Sequence, residues 1–185
     1  TVTGFSYVSP LCQNGINPSP TFVSGYTPGG TFSASPAGLS INPTTGIINL
    51  AGSLLNTYTI TYSIAASSCS PAGSSTFSFT INASTTPVTG FTYTTPVCKN
   101  GLNPVVIPGS GFTSGGSYSY IAIPSGLSTG LSFSTSTGAI NLASSTPGTY
   151  TVTYSVAASG CRVAGSSSFT ITINPLPTIS PIYHD

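Results

Sequence analysis

The chain is written twice. Val2-Thr-Gly-Phe-Ser-Tyr7 returns as Val88-Thr-Gly-Phe-Thr-Tyr93, and Cys12-Gln-Asn-Gly-Ile-Asn-Pro18 returns as Cys98-Lys-Asn-Gly-Leu-Asn-Pro104, 86 residues on (12 to 98). Farther along, Leu39-Ser-Ile-Asn-Pro-Thr-Thr-Gly-Ile-Ile-Asn-Leu50 matches Leu131-Ser-Phe-Ser-Thr-Ser-Thr-Gly-Ala-Ile-Asn-Leu142. Tyr58-Thr-Ile-Thr-Tyr62 then matches Tyr150-Thr-Val-Thr-Tyr154, now 92 residues on (58 to 150). A six-residue insertion near Ile121 to Gly130 accounts for the change of offset. A period this long exceeds that of a solenoid repeat and predicts sandwich-sized domains in tandem. The copies are read as residues 1–86 and 87–174, with 175–185 as a linker or the start of a further repeat, stiffened by Pro175 and Pro177.

Within each copy the periodicity is that of strands. Tyr58, Ile60, Tyr62 and Ile64 alternate with Thr59, Thr61 and Ser63, as do Tyr150, Val152, Tyr154 and Val156 with their neighbours. Phe77, Phe79 and Ile81 follow the same rule. Shorter strand candidates are Phe5 to Val8, Phe22 to Val23, Thr31 to Ser35, Leu39 to Ile41 and Ile47 to Leu50, separated by Gly, Pro and Asn clusters. Nothing supports a helix of three turns. The expected fold is all-β: two tandem immunoglobulin-like antiparallel β-sandwiches. Tyr58 and Tyr150 suit either a tyrosine corner or a plain core position, and Asn14-Gly15 and Asn100-Gly101 predict tight turns with positive backbone angles.

Composition then removes most function classes. The chain has two basic side chains (Lys99, Arg162), one acid (Asp185), one His (His184), no Met and no Trp. Acid–base, nucleophilic and metal catalysis recruit carboxylates, imidazoles, amines or a bound ion, so no enzyme, metal site or cofactor is expected. A Ser-His-Asp triad fails because His184 and Asp185 sit side by side at the terminus. Calcium-stiffened joints fail for want of carboxylates, and the Gly-rich pieces lack the Lys of a phosphate loop. A net charge of +1 offers no footprint for nucleic acid. No apolar run reaches the roughly 20 residues of a membrane span, so a soluble segment is expected. Ten Tyr and nine Phe in alternating patterns argue against disorder.

The four cysteines, Cys12, Cys69, Cys98 and Cys161, have no His or Asp neighbours that could complete a zinc site. Disulfides are expected, and with them an oxidising compartment. Three pairings exist. Repeat logic favours Cys12 with Cys69 and Cys98 with Cys161, because each copy then folds alone, and closing such a loop contributes about 4 kcal/mol on the chain-entropy estimate. The second pair would bring Lys99 and Arg162 to one end of the second domain, where they could meet an anion or a neighbouring subunit. Tyr26, Tyr118 and Tyr120 are the candidate contacts for a sugar ring.

Pro36-Ala-Gly-Leu-Ser-Ile-Asn-Pro-Thr-Thr-Gly-Ile-Ile-Asn-Leu50 followed by Tyr58-Thr-Ile-Thr-Tyr62 resembles the immunoglobulin-like repeats of bacterial surface proteins. With the early Cys-x-Asn-Gly-x-Asn-Pro and the late Cys, both copies are most similar to repeats of giant adhesins of gliding Bacteroidota. The resemblance implies export, typically by type IX secretion, and a place on the bacterial cell surface. The leading expectation is therefore a structural repeat segment of a secreted adhesin or extracellular filament, active in surface or cell attachment. Its partners would be further copies of the repeat in a longer chain, and a cell-surface glycan or protein. The alternatives are a glycan- or protein-binding module, or a spacer in a secreted multidomain enzyme. Sheet edges without charged guards also favour self-assembly into a fibre.

Overall fold

A computed structural model describes residues 1–123 and 130–177; the centre of the insertion, 124–129, and the terminal His184 and Asp185 lie outside the described residues. The chain divides into two compact units. The first holds Thr1–Thr85 together with Gly160–Arg162, and the second holds Thr86–Ser159 and Val163–Asp185. No helix occurs among the described residues.

In the first unit the chain forms β1 (Phe5–Ser6), β2 (Leu11–Cys12), β3 (Thr21–Phe22), β4 (Thr31–Ser35), β5 (Thr57–Ile64) and β6 (Gly73–Asn82). One layer has the order β2-β6-β5-β4. The central strand β5 shows why alternation selects this arrangement: Tyr58, Ile60 and Tyr62 are buried, while Thr57, Thr59 and Ser63 face water. The facing layer starts from the antiparallel pair β1–β3 and continues through the Ile48 N–H, which donates to the Pro18 carbonyl, to the Ile41–Ile48 bridge. Two such layers, joined by strands that pass from one to the other, make an immunoglobulin-like sandwich.

The second unit repeats it with β7 (Phe91–Thr92), β8 (Val97–Cys98), β9 (Ile107–Pro108), β10 (Ser117–Ile123), β11 (Gly148–Val156) and β12 (Gly165–Asn174). Its layers are β10-β11-β12-β8 and β7–β9, the latter near the Phe133–Ile140 bridge. The expected strands at 39–41 and 47–50 are reduced to that single bridge in each copy.

The sheets are not wholly antiparallel. β2 runs parallel to β6, with Leu11 opposite Ile81 and Cys12 opposite Asn82, and β8 runs parallel to β12 in the same register. A two-residue strand carries no readable period, so the sequence does not announce this crossing. The turns after these strands also differ from expectation: Gly15 and Gly101 are not among the positive-φ residues. Glycine is favoured there by close approach of the backbone. A Cβ would come within 3.0 Å of the Cys12 carbonyl oxygen at Gly15, and within 3.1 Å of that of Cys98 at Gly101.

Each core is organised by tyrosines whose hydroxyls end on backbone carbonyls. Tyr58 Oη donates to Leu54 O at 2.9 Å and Tyr150 Oη to Thr146 O at 2.7 Å, which is the tyrosine corner in both copies. Tyr7 bonds Gly46 O and Tyr93 bonds Gly138 O, at 2.5 and 2.6 Å. Tyr62 and Tyr154 donate to Thr27 O and Thr113 O while accepting from the Gly30 and Gly116 amides. A buried phenol without such a partner would lose its hydration uncompensated. On the outer face, hydroxyl pairs stand where ion pairs would be usual: Thr57 with Thr80 at 2.7 Å, Thr59 with Ser78 at 2.9 Å, Thr153 with Ser168 at 2.8 Å.

Candidate functional site

The cysteines define the poles of each sandwich. Cys12 ends β2 opposite Asn82, the last residue of β6, whereas Cys69 lies in the hairpin turn before Gly73, the first residue of β6. Ten strand residues separate those ends, which at roughly 3.3 Å each is about 30 Å. A disulfide needs Cα atoms within about 7 Å. The expected Cys12–Cys69 bond is therefore not formed, and by the same geometry along β12 neither is Cys98–Cys161.

Instead the first unit contains a bond between Cys12 and Cys161, with S–S 2.00 Å and Cα–Cα 5.3 Å, 149 residues apart in sequence. Cys161 belongs by sequence to the second copy but sits in the Gly160–Arg162 segment of the first unit. Backbone contacts hold this segment in place: the Thr85 amide donates to Cys161 O at 3.0 Å, and Thr85 bridges Arg162 in parallel fashion. Cys69 and Cys98 are exposed thiols. Lys99 and Arg162 are consequently not gathered at one end of the second unit. Lys99 stays beside Asn174, where its amide donates to the Asn174 carbonyl, and Arg162 lies in the first unit.

The tyrosines expected to meet a sugar all pack against the aromatic cores. Tyr118 is 6% exposed and packs at 4.5 Å from Tyr154 and 5.5 Å from Phe91. Tyr26 stacks on Phe22 at 3.8 Å and leans on Tyr62 at 5.0 Å. Burial and the Tyr62 hydroxyl push the Tyr26 phenol above its usual range. Tyr120 packs against the second core, edge-on to Tyr150 and Phe133. Of the three, Tyr118 is buried, while Tyr26 and Tyr120 are half-buried at the margins of the two cores.

Two pairs of polar residues escaped the sequence reading. Asn17 Oδ1 and Asn103 Oδ1 accept from the Leu50 and Leu142 amides, each at 2.9 Å. The second Asn of Cys-x-Asn-Gly-x-Asn-Pro thus fixes the loop after each polar cysteine to the core. Ser53 and Ser145, both buried, donate to Asn49 O and Asn141 O and accept from the Ser40 and Ser132 amides. Recurrence at matching places was the available signal, but Ser and Asn in turn-rich text read as turns.

No group of three His, Cys, Asp or Glu side chains that could hold a metal occurs among the described residues. The surface depressions are open. The one beside Cys12, about 350 Å³, is lined by Val8, Pro10, Leu11, Ile16, Pro18 and Leu50 among others. No helix is long and apolar enough to cross a membrane among the described residues.

No family model matches the chain, and no curated protein matches it in sequence. Among solved structures it is similar to a SusE-like surface-located polysaccharide-binding protein from the heparin utilisation locus of Bacteroides thetaiotaomicron, with 15% identity, 94% of this chain, 34% of that chain and a TM-score of 0.33. Drosophila N-cadherin EC1-4 is similar at 11% identity, 94% and 48% coverage and a TM-score of 0.34. Drosophila N-cadherin EC1-3 follows at 10%, 93% and 68%, with 0.33. The chain spans about a third of the first of these structures and about half of the second.

Proposed function

We propose that this chain is a non-catalytic, structural repeat segment of a large secreted bacterial cell-surface adhesin or extracellular filament, serving surface or cell attachment. The observation that carries the reading is the Cys12–Cys161 bond, which ties one copy of the repeat to the next. A bond of that kind closes most of both copies inside one covalent loop that tension cannot extend, and it persists where the surroundings are oxidising. The near absence of acids, bases and nucleophiles supports a mechanical role over a chemical one. Hydroxyl-lined outer faces support contact with neighbouring copies unopposed by charge.

Antibodies raised against the chain are expected to label intact producing cells without permeabilisation. Deleting the segment from its gene is expected to lower attachment of those cells to a solid surface. Label that appears only after lysis would contradict the reading.

A further inference from the structure

The two exposed thiols are the counterparts of the two that are bonded. Cys98 is to the second copy what Cys12 is to the first, and Cys69 is to the first copy what Cys161 is to the second. The correspondence extends to the backbone. Cys98 lies opposite Asn174 as Cys12 lies opposite Asn82, the Lys99 amide donates to Asn174 O at 3.1 Å as Gln13 does to Asn82 O at 3.0 Å, and Gly101 closes on Cys98 O as Gly15 does on Cys12 O, both at 2.8 Å. Cys69 holds the third place of the hairpin turn 67–70, the place Cys161 holds in the turn 159–162.

We propose that Cys98 and Cys69 are the two open halves of the same linkage, and that a second copy of this chain joins head to tail through a Cys98–Cys69 disulfide. The proposal rests on reading the chain as a repeat segment. The Cys12–Cys161 bond shows that a β2-type cysteine and a hairpin-tip cysteine meet at bonding distance, and it leaves each copy with one of the two unused. Such a contact is heterologous: repeated addition builds a ring where the rotation between copies closes and an open filament where it does not. One feature of the bonded joint is absent at the open end: Pro177 stands where Thr85 donates its amide, and proline has no N–H. The new joint depends correspondingly more on the sulfur bond.

The oxidant is a small disulfide such as oxidised glutathione. The Cys98 thiolate attacks it, releasing one glutathione thiolate and forming a mixed disulfide. The Cys69 thiolate of the second copy then attacks the Cys98 sulfur and releases the other. Two protein thiols lose two electrons and two protons, and one glutathione disulfide becomes two glutathione thiols.

The test is oxidation of the intact chain by oxidised glutathione, read by non-reducing electrophoresis and disulfide peptide mapping. Wild type is expected to give a ladder of dimers and higher species joined by Cys98–Cys69. Cys69→Ser alone and Cys98→Ser alone are expected to stay monomeric, while their equimolar mixture gives dimer and stops there. Both thiols are exposed, and an unchanged near-ultraviolet tyrosine dichroism checks that each variant is folded. Symmetric Cys98–Cys98 or Cys69–Cys69 dimers in the single variants, at the yield of the mixture, would overturn the proposal, as would no cross-linking of wild type. Cross-linking that fails while intact cells still carry the label overturns the linkage and leaves the surface role standing. The reverse result overturns the surface role alone.

Discussion

The two copies agree inside and differ at their poles. Tyr7, Tyr58 and Tyr62 make the same hydroxyl-to-carbonyl bonds as Tyr93, Tyr150 and Tyr154, and exchanges such as Phe32 for Tyr118 or Tyr26 for Phe112 keep ring for ring. At the cysteine poles, by contrast, Cys12 is bonded and Cys98 is not, Lys99 stands in the sequence place of Gln13, and Arg162 in that of Ser70. Cores of like sequence are held by like packing, while an end is defined by what adjoins it. The copies are therefore equivalent as folds and inequivalent in the state of their cysteines.

Alkali is expected to act on both copies alike, and most strongly. Burial pushes the Tyr7 and Tyr93 phenols well above their usual range. Both are protonated in either state below pH ~10, so the stabilisation is fully present there. Above it the unfolded chain has lost protons the folded chain retains, and stability falls as pH rises. Toward acid little is expected to change, because Asp185 is the sole acidic side chain. Thermal melts across pH would show a plateau with an alkaline edge; an acid edge of equal size would break the comparison.

Cys12→Ser separates the copies instead. Removing a cross-link that spans 149 residues is expected to destabilise the first unit by up to about 5 kcal/mol on the chain-entropy estimate. Cys98→Ser leaves both units unchanged. Chemical denaturation monitored by hydrogen exchange resolves the units, and equal effects of the two variants would contradict the pairing.

The tyrosine corner provides a smaller and symmetrical effect. Tyr58→Phe and Tyr150→Phe each leave a carbonyl without its donor and are expected to cost about 1 kcal/mol. Tyr118→Phe, which restores the residue found at Phe32 in the first copy, is expected to stay within about 0.5 kcal/mol. Equilibrium denaturation of the three variants gives the ranking directly.

Strand identity was legible wherever a run was long enough to show its period, as in β5 and β11, and the sandwich followed from many such runs between turn residues. The cysteine pairing was not. It depends on the direction of β2, a two-residue strand whose parallel course puts Cys12 at the far end of β6 from Cys69, and repeat logic is silent about direction. The place of Tyr118 was illegible for a related reason: it lies on a strand whose inward face the alternation could not tell from an outward one without knowing which layer it joins, and the structure buries it in the core.

The Cys12–Cys161 disulfide closes most of both copies inside one covalent loop, with both of its cysteines in the first unit. Single-molecule stretching of the intact chain by its ends, with and without reductant, tests it most directly. Under oxidising conditions a short extension confined to residues outside the Cys12–Cys161 loop is expected. Reduction then releases the 149-residue span, roughly 500 Å of additional contour length at about 3.4 Å per residue. Two separate unfolding steps in the oxidised chain, each freeing the part of one copy outside a Cys12–Cys69 or Cys98–Cys161 loop, would contradict it.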